Sequence, residues 1–135
     1  MPCDDGCRFA AKVVFLSSKT FDGYFVGDHS CRQMALAAGL DNHTNFRAWL
    51  STATSDPATD FTPHSLPLVQ RNGVRVAYSL AQLFGDGPNP GITVTETGET
   101  LLEAWVWTGT GSDGKLYEPG TDCNAWLSNS PAHKG

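Results

Sequence analysis

The sequence predicts an α+β domain, and three observations lead there. One helix is marked at both of its ends, short β-branched and aromatic runs recur along the chain, and glycine- and proline-rich stretches separate them. With 135 residues, 14 of them Gly and 8 Pro, the chain suits one core carrying many loops rather than a helical bundle or a disordered tail.

The first strand is predicted at 12–17, Lys-Val-Val-Phe-Leu-Ser, ending at the polar run 18–20. Asp28 reads as a helix N-cap. After it Cys31, Met34, Ala35 and Ala38 fall on one helical face, and Gly39 takes the C-terminal capping position. The segment 46–50, with Trp49, reads as strand-like. From 51 to 67 the chain is rich in Ser, Thr, Asp and Pro without a period, so it is expected as a long surface loop, a length uncommon unless it serves a function. Residues 68–76 read as a hairpin, with Asn72-Gly73 supplying a type I′ turn. Ser79 is expected to cap a short helical turn through Phe84, and 85–91 is loop chemistry. A polar strand is expected at 92–95 and a stronger one at 103–109, where Trp105 and Trp107 share a sheet face. Another loop, 111–120, leads to Cys123 and Trp126. No internal repeat is visible.

Charge excludes some partners. Nine Lys and Arg against fourteen Asp and Glu give a net charge of -5, and the basic residues are dispersed from Arg8 to Lys134. A nucleic-acid partner needs a concentrated basic face, so none is expected. No apolar run reaches the ~20 residues of a membrane span, so no membrane insertion is expected. Either a signal has been removed or Met1 is a start introduced by cloning.

The four cysteines, Cys3, Cys7, Cys31 and Cys123, do not have zinc-ligand spacing. Their even number in a small loop-rich domain points to disulfides, and hence to a secreted or cell-surface location. The histidines, His29, His43, His64 and His133, are scattered, and no nucleophile elbow, metalloprotease helix or phosphate-cradling motif surrounds them. No enzyme activity is expected, and no cofactor. Trp49, Trp105, Trp107 and Trp126 are expected in the core. Binding falls to the loops 52–67, 85–91 and 111–120. In the last of these, Asp113, Lys115, Tyr117 and Glu118 are the candidate contact residues, with Tyr117 the preferred one because tyrosine supplies amphipathic area.

In order, these pieces resemble one family. The run 12–18, the helix from Gly27-Asp28 through Cys31 to Ala-Ala-Gly-Leu, and Asn45-Phe46-Arg47-Ala48-Trp49-Leu50-Ser51 look like the first half of endostatin-like domains. These form a branch of the C-type-lectin-like fold. Val106-Trp107-Thr108-Gly109, a Ser-Asp-Gly loop and Asp122-Cys123-Asn124-Ala125-Trp126 look like the second half. The likeness covers about 12–130 and divides the chain into an N-terminal extension, 1–11, and a domain, 12–135. It implies a twisted antiparallel sheet with one main helix and long loops. It also implies a surface or secreted adhesin-like domain that takes a protein or glycan on a host, prey or matrix surface. The alternative is a structural cap of a larger fibre, acting as a homo-oligomer.

In that family the counterparts of Cys31 and Cys123 pair with two cysteines near a closing C-terminal strand, which this chain does not reach. Three readings stand side by side: Cys3 and Cys7 take over as their partners, Cys3 and Cys7 bond each other, or the chain is a fragment. Calcium, held by many C-type-lectin-like domains, would draw on Asp113, Glu118, Asp122 and Asn124. These acids read instead as turn formers. The heparin and zinc sites of collagen-derived members have no counterpart in this acidic chain.

Overall fold

The computed structural model describes residues 11–21, 27–61, 66–103, 106, 108–128, 130 and 132. Over them the chain is a small mixed α+β domain. Strands β1 (Lys12–Val13), β2 (Leu68–Val69) and β3 (Arg75–Ala77) form one sheet in that order. Helix α1 spans Gly27–Ala37, α2 Pro57–Asp60, α3 Leu80–Asp86 and the short α4 Cys123–Trp126. The sheet is mixed rather than antiparallel throughout, because β1 runs parallel to β2 while β2 and β3 are antiparallel.

The end of α1 matches its sequence signals. Met34 and Ala35 are buried, with Cys31 and Ala38 half-buried beside them. Past the helix the Gly39 N–H donates to the Leu36 carbonyl at 3.0 Å and the Leu40 N–H to the Ala35 carbonyl at 2.9 Å. That pair of bonds is the Schellman closure. The start differs from expectation: the helix already includes Gly27, so Asp28 lies in its first turn. The Asp28 carboxylate turns outward, accepting from the Ala48 N–H at 2.8 Å and pairing with Arg47 at 3.6 Å. It ties the helix to the following extended segment.

The 68–76 hairpin forms, but its turn is not type I′. Only Gly73 has positive φ, +83°. The Gly73 N–H donates to the Gln70 carbonyl at 2.9 Å and the Gln70 N–H to the Val74 carbonyl at 3.0 Å, leaving a three-residue loop. Asn-Gly serves this geometry as well, with a left-handed glycine in third place. The same pattern recurs twice. Residues 95–99 close through Gly98 N–H to Thr95 carbonyl and Thr95 N–H to Glu99 carbonyl, and 111–115 through Gly114 and Lys115. Arg-Asn-Gly, Glu-Thr-Gly and Ser-Asp-Gly thus make one kind of tight loop. The second of these turns the expected 92–95 strand back on itself. Among the described residues it leaves isolated pairings, Val94 with Thr100 and Leu16 with Thr95.

Ser79 caps α3 as its sequence position predicts, its hydroxyl accepting from the Gln82 N–H at 3.1 Å, while the Gln82 side chain accepts from the Tyr78 N–H at 2.6 Å. Ser79→Ala is expected to lower stability by about 1 kcal/mol, read from the urea unfolding midpoint. The segment 51–67 is less of a surface loop than expected. Asp56 caps α2 by accepting from the Thr59 N–H, Pro57 stands in the first turn and is buried, and Ser51 is fully buried.

Leu68, Val76, Ala77, Leu80 and Leu83 make the core, with Val14, Trp49, Phe61, Phe84 and Ile92 packed against it. Trp49 meets the Phe61 ring edge-on at 5.5 Å and the Phe84 ring at 5.3 Å. Trp126 is also buried, as expected. The expected 103–109 strand is not assigned at its described positions, and Trp105 and Trp107 lie outside the described residues. In α4 all four residues carry positive φ, from +47° at Cys123 to +60° at Trp126, which makes it a left-handed turn. Each such L-residue costs roughly 1–2 kcal/mol. Ala125 is exposed there at φ +59°, so Ala125→Gly is expected to raise stability by about 1 kcal/mol, measured by the same unfolding titration.

Candidate functional site

The loop 111–120 is built as a rigid projection. Thr110 pairs with Leu116, the Tyr117 N–H donates to the Gly109 carbonyl at 2.9 Å, and the Thr121 hydroxyl donates to the Glu118 carbonyl at 2.7 Å. Leu116 is half-buried while Lys115 and Tyr117 on either side are exposed, so these two share the outward face of a short extended run. Tyr117 is 70% exposed. Glu118 follows it, also exposed. Among the described residues no ion pair holds the side chains of Lys115 or Glu118. Asp113 has a different role: its carboxylate accepts from the Lys115 N–H at 3.1 Å, fixing the turn. All four candidates are exposed, and Asp113 also shapes the loop.

Two of the loops singled out by composition, 52–67 and 111–120, meet at Gly114, and helix α3 packs there as well. The Ala58 N–H of α2, within 52–67, donates to the Gly114 carbonyl at 2.9 Å. From the other side the Phe84 ring, one residue before 85–91, lies so close to Gly114 that an added Cβ would sit 2.3 Å from it. Composition alone does not reveal this meeting, because it rests on contacts far apart in sequence, Gly114 with Ala58 and with Phe84.

Three buried polar residues have structural roles that no local pattern marks. Gln70 is buried, and its side-chain oxygen accepts from the Thr93 and Val94 N–H groups at 2.7 and 3.0 Å. Glu96 is 3% exposed; its carboxylate accepts from the Ser18 N–H at 2.8 Å and from the Ser18 hydroxyl. Ser51 bonds Thr110 through its hydroxyl at 2.7 Å, and its carbonyl accepts from the Trp126 indole N–H at 2.9 Å. Nothing in Thr-Glu-Thr-Gly distinguishes a buried glutamate from a turn residue.

Cys31 and Cys123 are free thiols in this structure, and Cys3 and Cys7 lie outside the described residues. Burial, then the Asp28 and Glu96 carboxylates, push the Cys31 thiol up to about 11, partly countered by Arg32. Burial and Asp122 raise Cys123 as well. Against an ordinary value of 9.0, Cys31 holds about a hundredfold less thiolate at neutral pH than a free cysteine. In the reduced protein its alkylation by iodoacetamide is expected to be slow at pH 7 and to keep rising through pH 10, whereas a solvated thiol would level off earlier.

No group of three or more His, Cys, Asp or Glu side chains among the described residues is placed to hold a metal ion. No described helix is long and apolar enough to cross a membrane. No protein-family model and no curated protein matches the chain.

Proposed function

We propose that this chain is a recognition domain that takes a protein or glycan ligand on the face carrying Lys115, Tyr117 and Glu118. The packing of the 111–120 loop at Gly114, against α2 and the Phe84 ring of α3, carries the reading. A tyrosine that is 70% exposed stands on a loop fixed by backbone bonds and by the core ring of Phe84, so binding would order little. An ammonium and a carboxylate flank it, which gives a polar rim around an aromatic centre. The motif likeness from 12 to 130 supports the finer assignment to an endostatin-like domain of the C-type-lectin-like fold. With it comes a secreted or cell-surface protein whose cysteines form disulfides under oxidising conditions.

Binding to glycan arrays and to immobilised matrix and serum proteins tests the proposal. Tyr117→Ala is expected to weaken a detected interaction by at least about tenfold, with the unfolding midpoint little changed because the ring is solvated. Binding that survives Tyr117→Ala, Lys115→Ala and Glu118→Ala together moves the site elsewhere. A second reading, self-association as a structural cap, draws on the exposed apolar residues Leu102, Val106 and Leu127. A monomer by light scattering at roughly tens of micromolar would count against it.

A further inference from the structure

We infer that Asn72 is a site of spontaneous covalent modification, converting to aspartyl and isoaspartyl forms in the folded protein. The chain has one Asn-Gly step, Asn72-Gly73, and the fold presents it at the tip of the β2–β3 hairpin with residues 71–75 all exposed. In the reaction the Gly73 backbone nitrogen attacks the Asn72 side-chain carbonyl carbon. A C–N bond forms, the nitrogen gives up its proton to solvent, and the amide nitrogen takes up a proton and leaves as ammonia. Water then opens the resulting succinimide ring at either of its carbonyls. Opening on one side gives aspartate at position 72. Opening on the other gives an isoaspartyl link, in which the main chain runs through the former side chain.

Three features of the loop favour the first step. Gly73 has no side chain to shield its nitrogen, and nothing lies within 4 Å of where a Cβ would stand. The Val74 N–H donates to Asn72 Oδ1 at 3.0 Å, so a donor already points at the oxygen that becomes negative when the nitrogen adds. Solvent reaches the whole tip, so water and hydroxide are at hand. One feature opposes it: the Gly73 N–H is donated to the Gln70 carbonyl, and giving up such a bond costs about 1 kcal/mol. That slows attack by less than about tenfold.

The third hairpin loop supplies a control within the same molecule. Asp113-Gly114 occupies the position of Asn72-Gly73, and Asp113 Oδ1 accepts from the Lys115 N–H at 3.1 Å as Asn72 Oδ1 does from Val74. Aspartate can close the same ring by losing water. Gly114, however, is buried against the Phe84 ring and its carbonyl is held by Ala58, so its backbone cannot swing to attack. The geometry therefore assigns the reaction to Asn72 and withholds it from Asp113.

The test is incubation of the folded protein at pH 7.4 and 37 °C, followed by peptide mapping with isoaspartyl detection, beside a free peptide spanning residues 68–77. The rate at Asn72 is expected to lie within about tenfold of that of the peptide, with isoaspartate the larger product. An acidic isoform should accumulate on anion exchange, Asp113 should remain unchanged, and Asn72→Gln should abolish the isoform. An intact Asn72 when the peptide has converted would overturn the inference, as would isomerisation of Asp113 at a comparable rate.

Discussion

Gly109→Ala is expected to lower folding stability by about 3 kcal/mol or more, through two independent causes. Gly109 is buried at φ +61°, a conformation that costs an L-side chain roughly 1–2 kcal/mol. The new methyl would also stand 2.5 Å from the backbone carbonyl oxygen of Thr121 and 3.4 Å from the Trp126 ring. A flexible side chain could move aside, but a carbonyl in the chain leading into the left-handed turn cannot move without shifting Asp122 and Cys123. Overpacking of that kind adds about 1–3 kcal/mol. Against the roughly 5–15 kcal/mol that holds a typical domain folded, this is a large share. Equilibrium unfolding in urea, with the slope compared as well as the midpoint, reads it. A midpoint within error of the parent would mean that the 109–121 approach is looser than described. Gly73→Ala serves as the contrast: its φ is +83° but nothing lies within 4 Å, so only the conformational cost applies.

What the sequence revealed and what it hid divide along the range of the interaction. Helix α1, the Ser79 cap and the 68–76 hairpin are each specified by neighbours within a few residues, and all three form. The turn type at Asn72-Gly73 is not legible locally, because Asn-Gly suits both a two-residue and a three-residue loop, and which one forms depends on how the strands pair. Helix α2 had a legible signal, Asp56 followed by Pro57, hidden by a composition that otherwise reads as loop. The parallel pairing of β1 with β2, and the buried polar ties through Gln70, Glu96 and Ser51, join residues far apart in sequence. No local pattern encodes them. The left-handed turn at 123–126 is hidden for the opposite reason: Ala125 and Trp126 are poor candidates for positive φ, so long-range packing must hold them there. For the candidate site, loop composition correctly located exposed residues at Lys115, Tyr117 and Glu118, but the rigidity that makes them a surface comes from Ala58 and Phe84.

Trp126 is the residue that anchors that turn, and its replacement is expected to have the largest effect of all. The ring is 5% exposed, and its N–H reaches the carbonyl of Ser51, a residue itself fully buried. Trp126→Ala removes the buried ring and leaves a cavity, at about 3–5 kcal/mol, and strands the Ser51 carbonyl without that donor. Trp126→Phe keeps most of the apolar contact and isolates the second contribution, expected at about 1–3 kcal/mol for an acceptor left unpaired in the interior. A tether between 51 and 126 joins the extended segment after α1 to α4, and Ser51 also holds Thr108 and Thr110 through its N–H and hydroxyl. Loss of the ring should therefore be felt in the 108–110 segment as well as at α4. Amide hydrogen exchange on the Trp126→Phe protein, still folded, is expected to show faster exchange at Tyr117, whose N–H is held by Gly109, than in α1 or at the Gln70–Val74 pairing. Uniform acceleration across the whole domain would mean that Trp126 stabilises the fold globally without fixing the local geometry beneath the 111–120 loop.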